Sequence, residues 1–178
     1  MIANKKLPLF IITGASGVGK STISEILFQN EEKYIVLESD ILWHDIYNTP
    51  DDDYRTYREL WLNVCKNISQ IGLPVVLCGC AVPKQFEVCL NKEHFTTIHY
   101  ISLVCQDSVL EKQMTGGRSI TDKNWINGSK DFNQWLKDNA DKTLPKMELL
   151  DITHLELEES ATYIDEWICG ILENETCD

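Results

Sequence analysis

The feature that most constrains this chain is a glycine-rich turn that ends an apolar run near the N-terminus. Residues 7–13 read LPLFIIT and residues 14–21 read GASGVGKS. Glycine permits backbone angles and close approaches that a side chain would block. The amide N–H groups of such a turn can point inward as a nest for an anion, and a following helix adds the positive potential of its N-terminus. The pattern therefore predicts a buried strand, a phosphate-binding loop and a helix, in that order.

The spacing of the motif residues satisfies the P-loop pattern, with Gly14, four further residues, and then Gly19, Lys20 and Ser21. Lys20 can reach the β- and γ-phosphates of a nucleoside triphosphate, and the Ser21 hydroxyl can ligate Mg²⁺. We predict that a nucleoside triphosphate binds here. The predicted nucleotide-binding residues are Gly14, Ser16, Gly17, Val18, Gly19, Lys20, Ser21 and Thr22.

Strand-like and helical segments alternate along the whole chain. The predicted strands are 7–13, 34–37, 73–78, 97–104 and 147–152, and each is short and mostly apolar. Helical spacing places Tyr57, Leu60, Trp61, Val64, Ile68 and Ile71 on one stripe of a helix over 53–71. A second helix is predicted over 158–172. This alternation predicts an α/β fold with a mostly parallel sheet and helices on both faces, in one domain over 1–178.

Composition narrows the range of partners. The formal net charge is −12, and such an acidic surface repels the phosphates of nucleic acids, so neither DNA nor RNA is expected to bind. No apolar run approaches the roughly 20 residues of a membrane helix, so no membrane partner is expected. The seven cysteines are scattered mostly through apolar runs, which is typical of buried thiols in a reducing cytoplasm.

The motifs of two other classes of phosphate-binding protein do not match this sequence. A GTPase reads guanine with an N-K-x-D element, but the nearest candidate is NKEH at 91–94, which ends in His94. Transporter-type ATPases need an acid at the end of an apolar run. The corresponding run, VVLCGCAVP, has Cys78 and Gly79 at that place.

The order of P-loop, acidic turn, helical insert and late arginine loop resembles the P-loop small-molecule kinases, which include nucleoside monophosphate, shikimate and gluconate kinases. The resemblance implies a three-layer P-loop NTPase fold with a five-stranded, mostly parallel sheet. It implies a helical acceptor-binding insert over 41–72 and a short lid over 114–128. It also implies ATP and Mg²⁺ as cofactors and a small molecule as the phosphoryl acceptor.

The resemblance gives roles to the acids of the ESD segment at 38–40. Asp40 is expected to orient the acceptor and take its proton, which makes it catalytic and substrate-binding. Its alternative role is the N-cap of a following helix. Ser21, Glu38 and Asp40 are the expected metal-binding residues. If Cys78 stands where related kinases have an acid, Glu38 or Asp40 supports the metal, and the sequence leaves that choice open.

The chain has three arginines, and all three fall in segments that the resemblance directs toward substrate. Arg55 and Arg58 lie away from the apolar stripe of their helix, which leaves them free to meet solvent or to bind an anionic acceptor. Arg118 follows two glycines in the lid and is expected to act with Lys20 on the transferred phosphate. Ordinary surface positions are the alternative for all three. Trp43, Tyr47 and Trp61 either wall the acceptor pocket or belong to the core.

These observations favour an ATP-dependent phosphotransferase with Lys20, Asp40 and Arg118 as catalytic residues. The acceptor could be a nucleoside, a nucleotide, a sugar acid or a related metabolite. One alternative is a nucleotide-hydrolysing regulatory protein without an acceptor. Another is a fold of this kind that binds a nucleotide without catalysis.

Overall fold

The core of the molecule is a five-stranded sheet in which every neighbouring pair of strands is parallel. The structure is a computed structural model that describes residues 6–30, 32–42, 44 and 50–176. The strand order is β2-β3-β1-β4-β5, so the P-loop strand β1 lies at the centre. The strands are β1 (Leu9–Gly14), β2 (Ile35–Glu38), β3 (Val75–Gly79), β4 (Ile98–Val104) and β5 (Met147–Asp151). The predicted five-stranded sheet is therefore confirmed.

Helices connect the strands, as the alternation predicted. Short 3₁₀ turns cover Phe28–Asn30, Ser39–Leu42, Pro50–Asp52, Leu90–His94 and Ala140–Lys142, and a π-helical turn covers Gln113–Gly117. The α-helices are α1 (Lys20–Leu27), α2 (Arg55–Ser69), α3 (Pro83–Glu87), α4 (Asp107–Lys112), α5 (Lys123–Asn139) and α6 (Leu157–Thr176). Within the described part of the chain, no helix is both long and apolar enough to span a membrane.

Side chains of β1 alternate between two hydrophobic clusters, one on each face of the sheet. Phe10 and Ile12 pack into the cluster that includes residues of α1 and α6. Leu9 and Ile11 pack into the other cluster, together with residues of α2. Because successive strand residues point to opposite faces, a strand covered on both faces has to be apolar throughout. This explains why the run before the P-loop is continuous rather than alternating.

Helix α2 packs most of the predicted stripe against the sheet, because Tyr57 and Trp61 are buried and Val64 and Ile68 pack against the same cluster. Its buried residues are Tyr57, Arg58, Trp61, Leu62 and Cys65. Ile71 lies beyond the helix end at Ser69 and is 66% exposed, so its assignment to the apolar stripe is wrong. Arg58, which spacing assigned to solvent, is buried beside this stripe by polar contacts that the hydrophobic pattern does not reveal.

Helix α5 is attached to the end of β4 through a buried side chain. The Asn133 amide group donates to the carbonyl oxygen of Cys105 (2.8 Å), and its oxygen accepts from the Cys105 amide (3.1 Å). Asn133 is fully buried, and Cys105 directly follows β4. A buried asparagine that satisfies both main-chain groups of one residue fixes the helix relative to the sheet. The face that α5 presents beside the carboxyl ends of the strands is therefore well defined.

Candidate active site

The loop between β1 and α1 has a backbone that requires glycine. Gly17 and Gly19 have φ angles of 85° and 107°, in the left-handed region. A Cβ atom on Gly17 would lie 2.5 Å from Cγ of Met114. A Cβ atom on Gly14 would lie 2.8 Å from the carbonyl oxygen of Leu103. The three glycines of the motif therefore serve the loop conformation and its close packing against β4 and the π-helical turn.

The loop leads directly into the first turn of α1. The amide of Ile23 donates to the carbonyl of Gly19 at 3.1 Å, which is the first hydrogen bond of the helix. The amides of Lys20, Ser21 and Thr22 precede that bond and have no intrahelical acceptor. Such amides, at the positive end of the helix dipole, are suited to bind phosphate oxygens.

The side chain of Lys20 lies along the start of the P-loop. Its ammonium group donates to the carbonyl oxygens of Gly14 (2.7 Å) and Ala15 (2.9 Å), and to Sγ of Cys80 at 3.4 Å. The Cys80 thiol also donates to the Gly14 carbonyl at 3.1 Å. The segment after β3 is thus in contact with the P-loop, and an exposed thiol lies beside its lysine.

Asp40 lies on a turn that α2 holds against the end of the sheet. The carbonyl oxygen of Ser39 accepts hydrogen bonds from the Tyr57 hydroxyl and from Nε1 of Trp61 (3.0 Å). A Cβ atom on Gly79 would displace Oγ of Ser39, so β3 packs closely against the turn at this glycine. These contacts fix the backbone next to Asp40, whose own side chain is exposed.

Glu38 and Asp40 lie on different sides of the sheet end. Glu38 pairs with Cys78 across β2 and β3. Val36 belongs to the cluster on the α1 face, and side chains two apart on a strand share a face, so Glu38 points toward the P-loop helix. Burial raises the pKa of Cys78 to about 12; the nearby Glu38 carboxylate also raises it, whereas Lys20 lowers it. The end of β3 therefore has a neutral thiol, and Glu38 is the acid beside it.

A cavity of about 720 Å³ opens between the P-loop, the turn after β2 and helix α2. Ser16 of the P-loop and Asp40 both line it. The aromatic residues that line it are Tyr54, Tyr57, Trp61, Phe86 and Trp125. A larger cavity of about 870 Å³ lies at the amino ends of β4 and β5, and its lining includes no residue of the P-loop. In parallel α/β sheets ligands bind at the carboxyl ends of the strands, which favours the smaller cavity as the active site.

The two arginines of α2 have different environments, although the same role was predicted for both. Arg55 is exposed, lies 4.0 Å from the Glu59 carboxylate and does not line the cavity. Arg58 lines the cavity but is buried, so the prediction that it is free to meet solvent is wrong. Its guanidinium donates to the carbonyl oxygens of Asp53 and Gln85 (3.2 Å) and lies 3.4 Å from the Asp53 carboxylate. Local polar contacts thus hold Arg58 in the cavity wall.

The predicted lid segment contacts the P-loop and the cavity through residues other than its arginine. Met114 is buried against Gly17, and Trp125 lines the cavity while remaining 50% exposed. Arg118 is exposed and is not part of the cavity wall. Gly117 has open space around the position of a Cβ atom. Trp43 and Tyr47, which the sequence offered as pocket walls, lie outside the described residues.

The residues present fit a nucleotide bound with Mg²⁺. The amides at the start of α1, which precede its first hydrogen bond, and the ammonium group of Lys20 supply positive charge where phosphates would approach. In the described residues, no group of three or more His, Cys, Asp or Glu side chains could hold a metal by itself. Mg²⁺ in kinases is commonly held by one or two protein oxygens together with phosphate oxygens and water, so the oxygens of Ser21 and Glu38 would be enough to hold it together with a bound nucleotide.

Several cavity residues could not be selected from the sequence. Tyr54, Phe86 and Trp125 come from three separate segments, and each looks like an ordinary core or surface aromatic in isolation. Backbone strain is a further sign of a functional site that only the structure reveals. Asp53 and Tyr54, in the cavity wall, have φ angles of 52° and 58°. Such angles in residues other than glycine tend to occur where the surrounding structure, often a functional site, requires them.

No protein-family model matches this sequence, and no curated protein matches it. Solved structures do resemble it along nearly its whole length. A gluconokinase from Sinorhizobium meliloti 1021 is 16% identical with a TM-score of 0.63, and the match covers 97% of this chain and 98% of that chain. The tunicamycin resistance protein of Deinococcus radiodurans is 15% identical with a TM-score of 0.68, covering 92% and 96%.

A shikimate kinase from Acinetobacter baumannii, solved in complex with shikimate, is 13% identical with a TM-score of 0.56, covering 94% of this chain and 95% of that chain. Similarity at this level of identity establishes the fold. This chain therefore has the fold of the P-loop kinases, as the resemblance implied.

Proposed function

We propose that this protein is an ATP-dependent phosphotransferase that acts on a small-molecule acceptor. The observation that supports this most strongly is the shared cavity, in which Ser16 of the P-loop and Asp40 line the same space at the carboxyl ends of the strands. A phosphoryl donor at the P-loop and an acceptor beside Asp40 would then lie next to each other. Positioning of this kind supplies much of the catalysis in phosphoryl transfer. The kinases among the structural neighbours support the same reaction class.

On the nucleotide side, the amides at the start of α1 and the ammonium group of Lys20 bind the phosphates. The Ser21 hydroxyl would hold Mg²⁺, which offsets phosphate charge when bound. Glu38 faces the same side of the sheet as α1 and would support the metal. This division of roles leaves Asp40, on the cavity side, for the acceptor.

On the acceptor side, Asp40 orients the reacting hydroxyl and receives its proton as the oxygen bonds to the γ-phosphorus of ATP, while the bond from that phosphorus to the β,γ-bridging oxygen breaks and ADP leaves. Tyr57 and Trp61 keep the Asp40 turn in place through their bonds to the Ser39 carbonyl. Lys20 offsets the charge of the transferred group, and Arg118 reaches the same group when the lid closes.

Two variants test this division of roles. Lys20→Met is expected to weaken ATP binding about 10- to 100-fold, because it removes charge-assisted bonds of roughly 1.5–3 kcal/mol. Asp40→Asn should leave ATP binding intact and lower acceptor-dependent ADP formation about 10²- to 10⁴-fold, the usual range for a general base. The measurements are titration with a fluorescent ATP analogue and a coupled ADP assay over a panel of acceptors.

Asp131→Asn is the matched control, because it makes the same chemical change at an exposed position on α5 that does not line the cavity. ATP hydrolysis that no acceptor stimulates, with Asp40→Asn as active as the wild type, would contradict the phosphotransferase and favour a regulatory hydrolase. Failure to bind ATP at all would contradict the role of the P-loop.

A further inference from the structure

In the part of the chain that the structure describes, the acceptor side of the cavity has no cation that is free to bind an anion. Among the described residues that line it, Arg58 is the only basic one, and it is buried against Asp53 and Gln85. The Asp53 carboxylate also accepts from Nε2 of Gln85 at 3.3 Å. The segment 43–49, WHDIYNT, contains neither lysine nor arginine. The charge of Arg58 is therefore already paired with groups of the protein itself.

The charges that do face this cavity are mainly negative. Asp40 is exposed within it, and Asp53 has a side chain that is 71% exposed. With Arg58 included, these three groups sum to one negative charge. Because like charges at contact distance repel and an anion loses water when it enters a cavity, a carboxylate or phosphate on the acceptor would be disfavoured beside Asp40.

The same cavity continues into an aromatic groove along α5. A space of about 410 Å³ shares Cys80 and Gln85 with the main cavity and is otherwise lined by Val82, Phe132 and Trp135. The rings of Phe132 and Trp135 are stacked with their centroids 6.4 Å apart. We call this space the α5 groove.

The α5 groove and the main cavity are connected by one face of a helix. Trp125, Phe132 and Trp135 are separated by seven and three residues, which places them on the same side of α5. Trp125 and Trp135 are 50% and 39% exposed. Asn133 attaches this helix to the end of β4, so the aromatic face is preformed. Exposed apolar surface continuous with a cavity is typical of a ligand-binding groove.

We propose that the phosphoryl acceptor is an alcohol without an anionic group, whose apolar or aromatic body extends from Asp40 into the α5 groove. This inference rests on the proposed phosphotransferase function and specifies its acceptor. Such an acceptor differs from a sugar acid or a nucleotide, either of which would need a free cation in the cavity. Recognition depends on aromatic surface, while Asp40 selects the reacting hydroxyl and repels acids.

Matched probe pairs test the charge of the acceptor. With Mg²⁺ and a non-hydrolysable ATP analogue bound, calorimetry would compare phenyl β-glucoside with phenyl β-glucuronide, and uridine with uridine 5′-monophosphate, alongside gluconate and shikimate. The expected result is that a neutral member binds at least about tenfold more tightly than its anionic partner. Preferential binding of any of the acids, or binding of neither neutral probe, would overturn the proposal.

Two variants test the groove and the charge argument separately. Trp135→Ala should weaken binding of the neutral aromatic probe about 3- to 10-fold. Phe28 is an exposed aromatic residue outside the cavity, so Phe28→Ala should leave the affinity of the probe unchanged. Asp53→Asn keeps a residue that tolerates the left-handed backbone and removes the charge opposite Arg58. It should improve binding of the anionic member of each pair relative to the neutral one.

The outcomes also separate this inference from the proposed function. A protein that binds ATP and phosphorylates gluconate or shikimate is a phosphotransferase whose acceptor class has been assigned wrongly. A protein that binds no ATP contradicts the proposed function itself. If Asp53→Asn leaves the preference between the paired probes unchanged, electrostatic exclusion of acids is refuted even where the neutral probe binds.

Discussion

Replacing each arginine of α2 by methionine should produce very different losses of stability. The two residues are three positions apart on one helix, and methionine keeps the aliphatic length and the helix propensity of arginine. Arg58 is buried and bonded to the carbonyl oxygens of Asp53 and Gln85, whereas Arg55 is exposed with one distant partner, Glu59, at 4.0 Å. The same chemical change therefore removes different interactions.

The magnitudes follow from the lost contacts. Arg58→Met removes two hydrogen bonds from a charged donor, each contributing about 1.5–3 kcal/mol, but water can reach the exposed Asp53 and replace part of this. We expect a net loss of about 2–4 kcal/mol in the free energy of unfolding. Arg55→Met removes one exposed pair four residues apart, which contributes about 0.3–0.5 kcal/mol.

Urea denaturation and thermal melting of both variants beside the wild type would measure these losses. For a domain of this size, the melting temperature should fall by about 5–15 °C for Arg58→Met and by about 2 °C or less for Arg55→Met. Equal losses in the two variants, or a loss below about 1 kcal/mol for Arg58→Met, would refute the conclusion that Arg58 belongs to the cavity wall.

Two further predictions concern the P-loop and the buried thiols. Gly17→Ala should lower the free energy of unfolding by about 1–3 kcal/mol in urea denaturation, because of its φ of 85° and the contact with Met114. Gly170→Ala, on α6 with open space around its Cβ position, should raise it by about 0.5–1 kcal/mol; the reverse order would contradict the geometry. Burial raises the pKa of Cys78 to about 12, so the folded state retains a proton that the unfolded state loses above about pH 9. The contribution of this thiol to the free energy of unfolding should therefore be fully present below pH 9. It should be lost as the pH rises toward 12, by up to about 1.4 kcal/mol per pH unit. Urea denaturation under reducing conditions should show that the stability advantage of the wild type over Cys78→Ala narrows between pH 8 and 10, and a constant difference would refute burial of the thiol.

The sheet could be predicted from the sequence because its signals are local. Each strand is a short apolar run bounded by polar residues or glycine, and β1 and β4 differ from the predicted ranges 7–13 and 97–104 by two residues or fewer at either end. Burial on both faces makes such runs conspicuous. The prediction for α2 missed the burial of Arg58, because hydrophobic spacing does not register an arginine that is buried by hydrogen bonds to carbonyl groups.

The two halves of the candidate site also differ in how well they can be predicted from the sequence. The P-loop is contiguous, so its spacing alone identifies the loop, its lysine and its serine. The acceptor cavity combines Asp40, Phe86 and Trp125 from segments far apart in the chain. No periodicity connects such residues. The separation of Glu38 from Asp40 likewise depends on strand pairing and on which face of the sheet each side chain occupies.

The distribution of charge connects the acidity of the chain with the chemistry proposed for it. In the proposed function, a protein with a net charge of −12 would bind a polyphosphate because the P-loop supplies main-chain amides, a helix N-terminus and Lys20 at one place. Among the described residues that line the acceptor cavity, the one basic side chain is Arg58, which is paired with Asp53. An acceptor anion 4 Å from Asp40 would be repelled by about 4 kcal/mol at an effective dielectric constant of about 20. That repulsion corresponds to roughly a thousandfold in affinity. In the proposed reaction, the positive charge of the described site residues would thus serve the phosphates, and the acceptor would be selected by its shape and its apolar surface.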